Sequence, residues 1–126
     1  MKDIKFITKP YAYNPDKVFV ALLLDVNSTK ELFNQLSDKL NFPDYFGFNW
    51  DALLDMFCDF SWIENKDIML IHESVPTLGE TSLQIYLDIL VESVKSWQNW
   101  KGGSVHHFEV IFPKEAEIEI LKFLKD

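Results

Sequence analysis

The chain has no arginine: its 12 basic residues are all lysines, set against 20 acids, for a net charge of −8 over 126 residues. Arginine supplies the planar two-pronged donor favoured at phosphates, and nucleic-acid affinity rests on a basic footprint. A direct nucleic-acid binder is therefore excluded, and an acidic chain of this kind suits a basic partner. A single cysteine, Cys58, excludes an internal disulfide; beside aromatic residues on a helix it reads as a small, partly buried thiol rather than a nucleophile. No apolar run approaches the ~20 residues of a membrane span. The N-terminal stretch MKDIKFITKPYAYNPDK lacks the apolar segment, about 7–15 residues long, of a secretory signal, so the chain reads as cytoplasmic.

Metal and hydrolytic chemistry are equally short of material. His106 and His107 are adjacent on an expected strand and point to opposite faces, while His72 ends a different strand. No HxxxH, HExxH or paired CxxC accompanies them, so neither a metal nor a cofactor is expected. Gly102 and Gly103 read as a helix stop, because the lysine and spacing of a phosphate loop are missing. Asp51 and Asp55 could in principle divide acid and base roles, but such pairs need a desolvating pocket that an exposed helix surface does not offer. The chain is read as a non-enzyme.

What is present is apolar and aromatic content, 48% and 15%, enough for one folded domain of this length. Residues 1–16 carry prolines and aromatics without a period and read as an N-terminal arm, with a short strand over Ile4 to Thr8. Lys17 to Asp25 holds a continuous aliphatic run, which predicts a strand covered on both faces. Ser28 or Asn27 is placed to cap the next helix, and Glu31 completes a capping box with Ser28. Asp67 to His72 reads as a second strand, Thr81 to about Trp100 as the longest helix, ending against Gly102 and Gly103, and Val105 to Phe112 as a third strand. Pro113 can open a terminal helix with Ile118, Leu121 and Leu124 facing inward. This order predicts an α/β fold with a small three-stranded parallel sheet packed with helices. The whole of 1–126 is one domain, with core 17–112 and C-terminal helix 113–126.

The most informative stretch is Phe42 to Trp62. Pro43 disfavours helix at Phe42 and Gly47 can take positive φ, so a turn is expected there. Asn49 then sits as an N-cap, opening a helix from Trp50 to about Phe60. Trp50, Leu53, Leu54, Phe57 and Phe60 form its core stripe. Asp51, Asp55 and Asp59, four residues apart, form a carboxylate ridge on the other face. Like charges at this spacing cost roughly 0.2–0.5 kcal/mol per pair. Lys39 and Lys66 bracket 26 residues with five acids, Asp44, Asp51, Asp55, Asp59 and Glu64, and no base. The ridge has no lysine within helical reach, which places its counter-charge on another molecule.

FPDYFGFNWDALLD resembles the signature of the barstar family of intracellular ribonuclease inhibitors: an aromatic pair, Gly, any residue, Asn, a hydrophobic residue, Asp-Ala-Leu, any residue, Asp. Tyr45, Phe46, Gly47, Asn49, Trp50, Asp51, Ala52, Leu53 and Asp55 fit in register, and the order of elements agrees over roughly residues 17 to 112. The resemblance implies an immunity-type protein, of the kind paired with a toxin, that binds a basic ribonuclease and covers its active site. It implies that Asp55 is the central contact and that Tyr45, Asn49 and Asp51 flank it; Gly47, Leu54 and Asp59, on the same turn and helix, are expected to belong to the same binding surface. A further family acid on the long helix aligns best with Glu92. The family often has Trp where this chain has Leu54, and a polar residue where it has Phe48. The free protein is expected to be a monomer. The same ridge also fits a module that binds another basic protein or a DNase toxin.

Overall fold

The computed structural model describes residues 3–9, 11, 13–99 and 105–124. Its first element ties the N-terminal arm into the sheet: β1, Ile4–Ile7, pairs in parallel with the last strand. The strands β2 (Val18–Leu23), β3 (Asp67–His72) and β4 (His107–Pro113) complete an all-parallel sheet in the order β1-β4-β3-β2. The expected three-stranded sheet thus has four strands. The extra strand is short, and its two faces bury different neighbours, so no single apolar period marks it. Ile4 is buried in the main core, while Ile7 packs on the opposite face of the sheet.

Helices α1 (Thr29–Lys39), α2 (Trp50–Phe57), α3 (Glu80–Gln98) and α4 (Glu117–Leu121) all feed one core cluster with Ala21, Leu23, Ile68, Leu70, Phe108, Val110 and Phe112 of the sheet. The other face carries a smaller cluster, Met69, Ile71 and Ile111, covered by Ile7, Tyr11, Val18 and Val20. Burial on both faces belongs to the inner strands. At the sheet edge, β2 leaves Leu22 and its neighbour Leu24 exposed, correcting the expectation of a strand covered on both sides. That edge is closed at its ends. The Lys17 and Val18 amides donate to the Asn14 carbonyl, and the Leu24 amide donates to Gln35 Oε1, whose Nε2 donates in turn to the Asp25 carbonyl.

Two helix ends match the sequence in kind but not in detail. Ser28 caps α1 by accepting from the Glu31 amide, while Glu31 reaches back to the Asn27 amide, one residue before the cap. α1 is stopped by Asn41 in the left-handed region, φ 54°, with the Phe42 amide donating to the Ser37 carbonyl and the Asn41 amide to that of Asp38. This is a Schellman closure, in which Asn replaces the commoner Gly. The expected stop of α3 at Gly102 and Gly103 lies outside the described residues; the helix ends at Gln98 with Asn99 as its cap.

After Pro113 the chain makes a turn of 3-10 helix, Lys114–Ala116, before α4 begins. That turn advances 120° per residue rather than 100°, which rotates the inward face of α4. Ala116 and Ile120 are buried, Leu124 packs partly against the core, and Ile118, 77% exposed, and Leu121 face outward, against expectation.

Candidate functional site

Local chemistry builds the turn before α2 and fixes the helix start. Phe42 and Phe46 are buried with their rings 4.8 Å apart, and Phe46 also meets Phe33, so the floor of the turn is aromatic packing. The Phe46 amide donates to the Pro43 carbonyl. Gly47 is not in the left-handed region; the residue at positive φ is Phe48, at 51°. What Gly47 provides is room, since a Cβ there would stand 3.1 Å from Asn49 Nδ2. Asn49 uses that room. Its Nδ2 donates to the Gly47 carbonyl, and its Oδ1 accepts from the Ala52 amide at 2.8 Å as the N-cap of α2.

The far end of α2 comes earlier than its apolar stripe indicates. Cys58 is the C-cap, and Phe60 lies beyond it at φ 49°, yet wholly buried against Phe57, Trp97 and Phe108. A helix terminus leaves carbonyls without partners. Here neighbouring elements supply them: Trp97 Nε1 of α3 donates to the Phe57 carbonyl at 2.8 Å, and His106 Nε2 lies 3.0 Å from the Phe60 carbonyl. Trp62, just beyond, donates from Nε1 to the Leu40 carbonyl at the end of α1. At the other end the Trp50 ring packs 5.0 Å from that of Phe33 and 6.4 Å from that of Tyr86. Helix α2 is clamped at both ends.

Beneath Tyr86 sits a closed polar group. His72 is fully buried, stacked 3.9 Å from the Phe112 ring, with Nδ1 3.0 Å from the Ile111 carbonyl and Nε2 2.7 Å from the Tyr86 hydroxyl. With the carbonyl taking the Nδ1 proton, Nε2 accepts from the phenol. Burial lowers the His72 pKa from 6.5 to about 4, against the opposing pull of the Ile111 carbonyl, and burial drives the Tyr86 phenol well above its ordinary range. This histidine is a structural support.

The anticipated site residues divide accordingly. Asp51 and Asp55 are exposed on α2, one helical turn apart. Asp59 is not on the helix; it is half-buried, and its Oδ1 accepts from the Ser61 amide in a turn, so the ridge is two helical carboxylates with a third set off from them. Glu92 is exposed on α3 on the side facing α2. The half-buried Cys58 thiol, pushed up chiefly by burial against hydrogen bonds from Ser96 and Ser93, is raised further by the charges of both Glu92 and Asp55. Tyr45 (68% exposed), Gly47 and Asn49 lie on the open side of the turn, and Leu54 is half-buried against the core. Phe48, 52% exposed, stands among them, though it is not one of the anticipated site residues. Nothing in an isolated sequence marks a phenylalanine as holding a left-handed backbone.

Among the described residues, none of Asp44, Asp51, Asp55, Asp59, Glu64 or Glu92 is in an ion pair, whereas Asp3, Glu109 and Glu117 each pair with a lysine. Also among the described residues, no group of three or more His, Cys, Asp or Glu side chains could hold a metal ion. No described helix is long and apolar enough to cross a membrane. Cavities of about 490, 370 and 200 Å³ are lined by other residues than these acids.

Fold and surface together define a small α/β protein whose exposed acidic helix is held rigidly over a parallel sheet. The model of one family, Barstar (barnase inhibitor), matches residues 17–111, and the chain belongs to that family. No curated protein sequence matches it. Membership carries a ribonuclease-inhibitor-like role with a ribonuclease as partner, which is consistent with a chain that is not itself an enzyme.

Proposed function

We propose that this protein, acting as one domain, inhibits a basic ribonuclease by laying α2 and the turn before it across the enzyme's active site. Asp55 is the central contact, standing where a substrate phosphate would lie. Asp51 and Asn49 flank it along the helix start, Tyr45 and Gly47 along the turn, and Leu54, Asp59 and Glu92 along the α3 side. The observation that carries this reading is the exposed Asp51–Asp55 pair on a helix clamped at both ends, with Glu92 nearby and none of the three in an ion pair. Such carboxylates repel one another in the free protein, and a cationic phosphate site supplies the missing partner. The rigid helix adds to affinity because little order remains to be imposed on binding.

A competition assay tests this mode of binding. Inorganic phosphate held in the nuclease active site competes with the inhibitor, so the apparent affinity falls with phosphate occupancy. Added salt also weakens any charged interface by screening, so chloride at matched ionic strength is the control. Phosphate should weaken binding beyond chloride. Equal effects of the two salts would place the contact away from the active site.

A further inference from the structure

Phe48 occupies a backbone position that does not suit it. Its φ of 51° lies in the left-handed region, where a Cβ crowds the following carbonyl and where Gly and Asn are the usual occupants. Gly47 and Asn49 stand immediately on either side, yet the position itself holds a bulky aromatic. Packing does not account for the choice. The ring meets Phe46 at 4.7 Å, tilted by 44°, and about half of the residue remains exposed, while Phe46 is already enclosed by Phe33 and Phe42. A strained conformation held with one ring contact and half of its surface in water is typical of a binding or switching residue.

The surroundings indicate what the ring is for. Phe48 lies between exposed Tyr45 and the cap Asn49, three residues before Asp51, so a flat apolar group and the first acid of the ridge are exposed within one short stretch of chain. A nucleotide combines the same two features, a base and a phosphate, and proteins that hold nucleotides pair cationic groups with a surface that stacks on bases. Resting on the reading proposed above, we infer that Phe48 is an aromatic anchor that enters the partner's nucleobase-binding slot beside its phosphate-binding cations. The turn thereby copies a base as well as a phosphate.

The test compares wild type, Phe48→Asn and Phe48→Gly in two measurements: melting temperature of the free protein, and inhibition of a ribonuclease that the wild type inhibits, with barnase as the first probe. Asn and Gly relieve the left-handed strain, so both variants should melt at or above the wild-type temperature. Both should also inhibit at least ~10-fold less well, the loss expected when an interface aromatic is truncated. Variants that melt lower would overturn the inference, because the ring would then be a packing group. Unchanged inhibition would overturn it as well. If the wild type inhibits no ribonuclease, the proposed function fails, and with it the anchor role that rests on it; the melting comparison still decides whether the ring is there for packing.

Discussion

Mild acid should weaken this fold through one buried side chain. His72 is enclosed on all sides, and its pKa is lowered from 6.5 to about 4, first by burial, with the Ile111 carbonyl opposing. Between those two values the unfolded chain binds a proton at His72 that the folded chain does not. More protons bound in the unfolded state means that stability rises with pH, so it falls as the solution is acidified from 6.5 and the loss is complete below about 4. At about 1.4 kcal/mol per pH decade, the deficit is roughly 3 kcal/mol, a large share of the 5–15 kcal/mol typical of a domain. Urea unfolding from about pH 7 to about pH 4, on wild type and His72→Gln, isolates the effect, because carboxylates common to both cancel in the difference. The variant should be weaker near neutrality, having lost the stack on Phe112 and the fit to Tyr86, yet lose less on acidification. The gap between the two should close by roughly 3 kcal/mol. Parallel pH profiles would refute the assignment. Because Tyr86 touches both His72 and Trp50, inhibition should decline over the same interval.

Two further outcomes test the clamped acidic helix. Asp55→Ala should weaken nuclease binding more than Asp51→Ala while leaving the melting temperature unchanged or higher, since removing one member of the pair relieves repulsion; calorimetric titration and thermal melts read both, and a lower melting temperature with unchanged affinity would make the ridge structural. Trp97→Phe removes the indole donor from the Phe57 carbonyl and should cost about 1–3 kcal/mol in chemical unfolding, with faster amide exchange at the end of α2. A wild-type exchange pattern would show that the helix end is held by other contacts.

Legibility in the sequence depended on whether the determining contact was local. Ser28 and Asn49 sit next to the turns they cap, and both caps are where their neighbours place them. The core strands likewise come from short apolar runs bounded by breakers. Asp59 reads as helical because Phe60 continues the spacing of Phe57, although the chain has already left the helix and Phe60 reaches the core from a left-handed backbone. Ile118 and Ile120 exchange roles because one turn of tighter helix shifts the phase. The pairing of β1 is hidden because its burial comes from β4, far along the chain. In the site itself, the motif marks Tyr45, Asn49, Asp51 and Asp55, but neither the space that Gly47 makes nor the conformation of Phe48 has a signature of its own.

The side chain of Gln35 has a bearing on how this protein behaves at high concentration. Alternate residues of β2 turn their amides away from β3, and an open row of that kind is a template on which identical chains can polymerise. Gln35 takes the outward amide of Leu24, just past the end of β2, and also donates to the Asp25 carbonyl, while the Asn14 carbonyl takes the Val18 amide at the opposite end. A second copy would have to evict a side chain already in place and keep its register over the few residues between the two stops. The rim that carries exposed Leu22 and Leu24 is thus stopped at both ends, which shortens the edge left open to a second copy.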